Sequence, residues 1–166
     1  MRFPEPASDT ADPATLFVQY LDFYRETVLE KTASLEREEL RTSRLPSGWS
    51  PLELVTHLAH MEQRWFVWGF LGEQVDAPWG DVREDRWHVP ADVALADLVD
   101  MLRAVGEQTS EVLRSMPLTT PAATGGRFTE DPPTLAWICF HVLQEYARHA
   151  GHLDIAVELA GGPSGE

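Results

Sequence analysis

Apolar positions recur at three- and four-residue spacing over four long stretches of the chain, the period of helices that bury one face. The first runs from about Pro13 to about Leu40, with Leu16, Tyr20, Phe23, Tyr24, Thr27 and Leu35 near the buried spacing and Glu26, Glu30, Glu36 and Arg37 at polar positions. Pro46, Ser47 and Gly48 break the pattern. The second opens on Ser50, Pro51 and Glu53, which are the N-cap, first-turn proline and returning carboxylate of a capping box. Its apolar stripe holds Leu54, His57, Leu58, Met61, Trp65 and Trp68 and ends near Gly72. The third starts near Pro90 to Asp92, continues through Leu95, Leu98, Met101, Leu102, Val105 and Leu113, and stops before Pro117. The fourth begins near Asp131-Pro132-Pro133 and runs to Gly161-Gly162.

Between these stretches nothing alternates with the period of two that strands require, so the pattern predicts an all-α protein without strands. The segment from Gly72 to Pro90 has no sustained period and carries Pro78, Gly80 and several acidic residues. A connection of that length can cross a bundle end, whereas shorter links suit antiparallel neighbours. The expected architecture is a four-helix bundle with a long crossover between helices 2 and 3. It forms a single domain over 1–166, with 1–12 as a loosely ordered leader and Pro121 to Pro133 as a loop.

Composition narrows the function classes. At 166 residues, 43% hydrophobic and 10% aromatic, the chain can bury a substantial core. A net charge of −14, with Lys31 as the only lysine, disfavours binding to phosphate backbones and to anionic lipid, so neither nucleic acid nor membrane is an expected partner. The single cysteine, Cys139, allows no internal disulfide. The N-terminus lacks the basic start and apolar run of a signal peptide, so the expected location is cytoplasmic.

The candidate chemistry lies on the fourth helix. At 100° per residue Glu145, His149 and His152 share one narrow stripe in a segment that otherwise reads as buried. His57 sits on the apolar stripe of helix 2, and His60 is turned about 60° toward the polar side, which favours His57 as the inward group. Glu145 and His149, one turn apart, can offer a carboxylate oxygen and an imidazole nitrogen to one ion, with His57 as a third ligand from another helix. Three protein ligands leave positions for water or substrate. His152 reads as a fourth ligand, a hydrogen-bond partner behind the ligands, or a proton relay, and His141 extends the stripe by one turn. The competing reading pairs Glu145 with an arginine such as Arg148 or Arg64 and needs no metal.

The segment Gly48-Trp49-Ser50-Pro51-Leu52-Glu53-Leu54-Val55-Thr56-His57-Leu58-Ala59-His60, with Glu145-Tyr146-Ala147-Arg148-His149-Ala150-Gly151-His152-Leu153-Asp154 near the end, resembles the DinB/YfiT-like metalloenzyme superfamily over nearly the whole chain. Within it the likeness is to actinobacterial members related to the N-terminal domains of mycothiol-dependent maleylpyruvate isomerases. The resemblance implies a four-helix bundle holding a divalent metal, often zinc or nickel, at His57, Glu145 and His149. Many relatives carry histidine where this chain has Glu145, and the thiol-dependent isomerases carry glutamate. His152 stands where many relatives have glutamine.

The expectation that follows is a divalent-metal-dependent transferase or isomerase using mycothiol or another low-molecular-weight thiol, with a small-molecule electrophile as partner. Competing readings are a non-catalytic metal-binding or homodimeric stress-response bundle and a metal-assisted hydrolase. Cys139, about 120° from Glu145 on its helix, reads as a buried inert thiol, and His88 as a surface histidine. Trp65, Trp68, Trp79, Trp87 and Trp137 read as core or as the wall of an apolar pocket, and Arg83 and Arg86 as solvated or as an anchor for an anionic substrate group.

Overall fold

The computed structural model describes residues 5–163 and shows an all-α bundle of four long helices: α1 (Pro13–Ala33), α2 (Pro51–Trp65), α3 (Leu95–Ser115) and α4 (Leu135–Leu159). Residues 1–4 of the expected leader lie outside the described residues, and 5–12 are not helical. α1 packs on α3 and α4, and α2 packs on the same two helices, so α1 and α2 face each other across the bundle with little direct contact. That arrangement makes α2 and α4 neighbours, which is what brings His57 toward the stripe of Glu145.

The helix starts follow from local chemistry. Asp12 caps α1 by accepting from Thr15 N at 2.8 Å. At α2 the capping box is complete, with Ser50 N donating to Glu53 Oε2 at 2.7 Å and Glu53 N donating to Ser50 Oγ at 3.4 Å. α4 ends in a Schellman motif: Gly161 takes φ +82°, its N–H bonds Glu158 O at 3.0 Å, and Gly162 N bonds Val157 O at 2.8 Å.

Two expectations for α1 need correction. The helix stops at Ala33, and the residues toward Leu40 end in a separate 3-10 turn, Glu39–Arg41. Its buried stripe is also rotated by one position from the expected set: Phe17, Leu21, Arg25, Val28 and Thr32 face inward, and Leu16, Tyr20, Phe23 and Tyr24 are only half-buried. The cause is Arg25, a charged residue in the middle of the buried face. It is held there by the bundle's central polar network. Glu62 of α2, fully buried, accepts from Arg25 Nε at 3.0 Å and Nη2 at 2.5 Å, from Thr109 Oγ1 at 2.6 Å and from Tyr146 Oη at 2.5 Å. Gly106 makes room for the guanidinium, since a Cβ there would lie 2.9 Å from Arg25 Nε.

α2 continues beyond Trp65 as a π-helical turn, Phe66–Phe70, before the crossover begins. The wider turn leaves carbonyls outside the ladder, and those of Trp68 and Phe70 accept from Arg127 N at 3.1 Å and Ala123 N at 2.9 Å. The crossover corrects the expectation of no strands. It contains a minimal antiparallel hairpin, β1 (Val82–Arg83) and β2 (Arg86–Trp87), whose two-residue turn puts Glu84 at φ 53° and Asp85 at φ 59°. Two positive φ values in succession define the turn whose twist matches paired strands. Arg41 ties the far end of the crossover down by donating to the carbonyls of Pro90, Ala91 and Val93.

Candidate metal centre

From the middle of each helix, α2 and α4 place His57, Glu145 and His149 so that one donor atom from each lies within 4.8 Å of the others. His149 Nε2 is 3.1 Å from Glu145 Oε2, and His57 Nε2 is 3.9 Å from the same oxygen. An ion 2.0–2.2 Å from nitrogen and oxygen donors spaces them roughly 3–3.5 Å apart, so small side-chain movements close this set. His149 is buried, and the other two are half-buried.

Each of the two imidazole candidates has a partner behind it. Asp81, fully buried in the crossover, bonds His57 Nδ1 through Oδ2 at 2.9 Å. Arg64 clamps the same carboxylate, with Nη1 to Oδ1 at 2.5 Å and Nη2 to Oδ2 at 3.0 Å. Burial pushes the Asp81 carboxyl up, but the hydrogen bonds from His57 and Arg64 outweigh it and take the pKa to about 2. Asp81 is therefore an anion that only accepts, so His57 Nδ1 donates to it and, in the neutral ring, Nε2 presents its lone pair toward Glu145. A carboxylate behind a histidine is the common support of a metal ligand. On the other helix His149 Nδ1 meets His152 Nδ1 at 3.4 Å. Burial and then the neighbouring His57 lower the His149 pKa to about 4, keeping that imidazole neutral.

The donor set fits a divalent cation. It combines two imidazoles and a carboxylate, and none of the arginines expected to neutralise Glu145 does so among the described residues. Arg64 is committed to Asp81, and the recorded ion contacts of Glu145 are to His57, His141 and His149. His152 stands behind His149 and outside the three-donor set; His141 Nε2 lies 3.9 Å from the second oxygen of Glu145. His60 is elsewhere, packed against Gly80, where a Cβ would come 2.7 Å from its ring.

The aromatic residues divide around the centre. Trp87, on the hairpin, stacks on His57 at 4.3 Å and meets His149 at 5.2 Å between ring centroids. Trp49 continues this wall, 5.9 Å from Trp87 and 6.1 Å from His152. Next to them a pocket of about 430 Å³ is lined by Trp49, Glu53, Arg83, Arg86, Trp87 and His88, among others. On the opposite side Trp65, Trp137 and His141 cluster beside Glu145. Cys139 is fully buried, and burial pushes its thiol up to about 12.

Sequence reasoning missed Asp81, and it offered Arg64 as a partner of Glu145, whereas the structure pairs it with Asp81. Asp81 is one of three acidic residues in the Pro78–Pro90 connection, with Glu84 and Asp85, and a segment without period gave no signal to single it out.

The fold belongs to the DinB-like class. A DinB-like protein, YjoA from Bacillus subtilis, matches over 89% of this chain and 94% of its own with a TM-score of 0.59 at 15% identity, which establishes the shared fold. The family model described as mycothiol-S-transferase matches residues 16–162, and the chain belongs to that family. No curated protein matches the sequence. Among the described residues no helix is long and apolar enough to cross a membrane.

Proposed function

We propose that the protein is a divalent-metal-dependent S-transferase that joins mycothiol, or a closely related small thiol, to an electrophilic carbon. The observation that carries this reading is the open set of His57 Nε2, Glu145 and His149, supported by Asp81 and His152 and closed by no arginine among the described residues. A divalent ion held there, zinc and nickel suiting the ligands, would acidify a thiol and favour the thiolate at neutral pH.

The chain's own residues supply position. Asp81, fixed by Arg64, keeps the His57 proton on Nδ1 and its Nε2 lone pair turned inward. His152 Nδ1 accepts from His149 Nδ1–H when His149 Nε2 turns toward the ion, so His152 is a positioning residue for that ligand. Trp87 and Trp49 shield the centre from water on one side, and the polar pocket beside them takes the hydroxyl-rich body of the thiol. In the transfer the sulfur forms a bond to the electrophilic carbon, the leaving group departs with the bonding pair, and the thiol proton passes to solvent.

The test combines elemental analysis with an assay of mycothiol and 1-chloro-2,4-dinitrobenzene. Bound metal, release of chloride and formation of the dinitrophenyl thioether support the reading. Metal-loaded protein that leaves both reactants unchanged contradicts it.

A further inference from the structure

Of the buried or half-buried guanidinium groups in the bundle, Arg25 holds Glu62 and Asp22, and Arg64 holds Asp81. Among the described residues Arg127 holds no carboxylate: its Nη1 is buried without a hydrogen-bond partner, and burial together with the nearby Arg64 lowers its pKa. This is unusual in a chain with 27 acidic and 13 basic residues.

The side chain is placed rather than loose. The loop that carries it is closed by the pairing of Pro121 with Thr134 and docks on the π-helical turn through Arg127 N to Trp68 O. Gly126 permits the approach, since a Cβ there would stand 2.2 Å from the Trp68 carbonyl oxygen. The guanidinium carbon lies 4.1 Å from the centre of the Trp65 ring and 5.7 Å from that of Trp79. From Trp65 an aromatic wall leads back to the candidate metal centre. The Trp65 ring is 4.2 Å from His141, which stacks on the half-exposed Trp137 at 8° and points Nε2 at Glu145 Oε1.

A cluster of aromatic rings, Trp65 tilted 49° to His141 and 51° to Trp137, with a preplaced guanidinium at its far edge suits a ring bearing a carboxylate. We infer that this face seats the second substrate, an aromatic electrophile carrying an anionic group, with Arg127 as its anchor and the aromatic edges of Trp65, His141 and Trp137 beside its ring. The inference rests on the thiol-transfer reading for the word substrate, but the binding itself does not.

The test is a titration of the full-length protein with 4-nitrobenzoate and with uncharged 4-nitrobenzamide, followed by quenching of tryptophan fluorescence. The account expects tighter binding of the benzoate, a Kd for it that rises about tenfold or more in Arg127→Gln, and an amide affinity unchanged by the substitution. Arg127→Lys, which keeps the charge and loses the planar fork, falls between. Equal affinity of the two compounds, or a benzoate Kd untouched by Arg127→Gln in a variant that melts like the parent, overturns the inference. Turnover of 4-chloro-3,5-dinitrobenzoate against 1-chloro-2,4-dinitrobenzene separates the two claims: a KM increase confined to the charged compound supports both. Intact benzoate selectivity with no thioether from either compound removes the transfer reading and leaves the anion seat standing.

Discussion

Two polar clusters lie along α2 about a turn and a half apart, and they are built to opposite rules. Around Glu62 both carboxylate oxygens accept two hydrogen bonds each, from Arg25, Thr109 and Tyr146, and nothing is left for a ligand. Tyr146 is kept protonated there, first by burial and then by the adjacent Glu62 charge. Around His57 the donors point the other way: the histidine is satisfied at Nδ1 by Asp81, and Nε2 faces two further electron-pair donors. Saturation marks the first cluster as structural, since an unpaired charge at the same depth costs several kcal/mol. In the second, Glu145 meets only imidazoles, with His149 Nε2 3.1 Å and His57 Nε2 3.9 Å from one oxygen, and the proposal of a cation there rests on that convergence.

The contrast predicts unequal effects of substitution. Glu62→Ala leaves the Arg25 guanidinium and the Tyr146 hydroxyl buried without their acceptor, and the expected loss is about 3–5 kcal/mol in denaturant unfolding. A loss under about 1 kcal/mol would show that the network is relaxed by water. Asp81→Asn acts on the second cluster from behind: metal affinity should fall about 10–100-fold, measured by competition with a chromophoric chelator. Unchanged affinity would mean that the orientation of His57 is fixed by its stacking on Trp87 alone. His57→Ala in metal-free protein should cost only about 1 kcal/mol, because Asp81 keeps its pairing to Arg64.

The smallest effect concerns a group outside both clusters. The Cys139 thiol is held protonated to about 12 by burial, against an ordinary value of 9.0, so native protein should resist iodoacetamide at pH 8 and react only when unfolded. A raised native pKa means that this contribution to stability is complete below about pH 9 and is lost as the pH rises toward about 12. Wild type should therefore lose stability relative to Cys139→Ala across that window. Rapid alkylation of the folded protein contradicts the assignment.

What could be read in the sequence was what has a period or a local signature. The Ser50–Glu53 capping box fixed the start of α2, the spacing of Glu145 and His149 put both on one face of α4, and Gly161 marked its end. Arg25 and Glu62 misled the pattern, because a charge on a buried stripe is indistinguishable in sequence from a polar position until its partner from another helix is known. The hairpin was invisible for a different reason: two-residue strands are too short to alternate, and Glu84-Asp85 lacks the glycine that usually announces such a turn. Asp81 gained its role only when that hairpin folded it under α2. The support of the centre is long-range, whereas the α4 pair is local.

The central claim is that His57, Glu145 and His149 share one divalent ion, and metal content per chain tests it most directly. Protein loaded with zinc, freed of excess and analysed by plasma mass spectrometry should hold about one ion per chain, and His57→Ala treated identically should hold almost none. Wild type that retains no stoichiometric metal, or a His57→Ala variant that retains as much as wild type, would contradict the account.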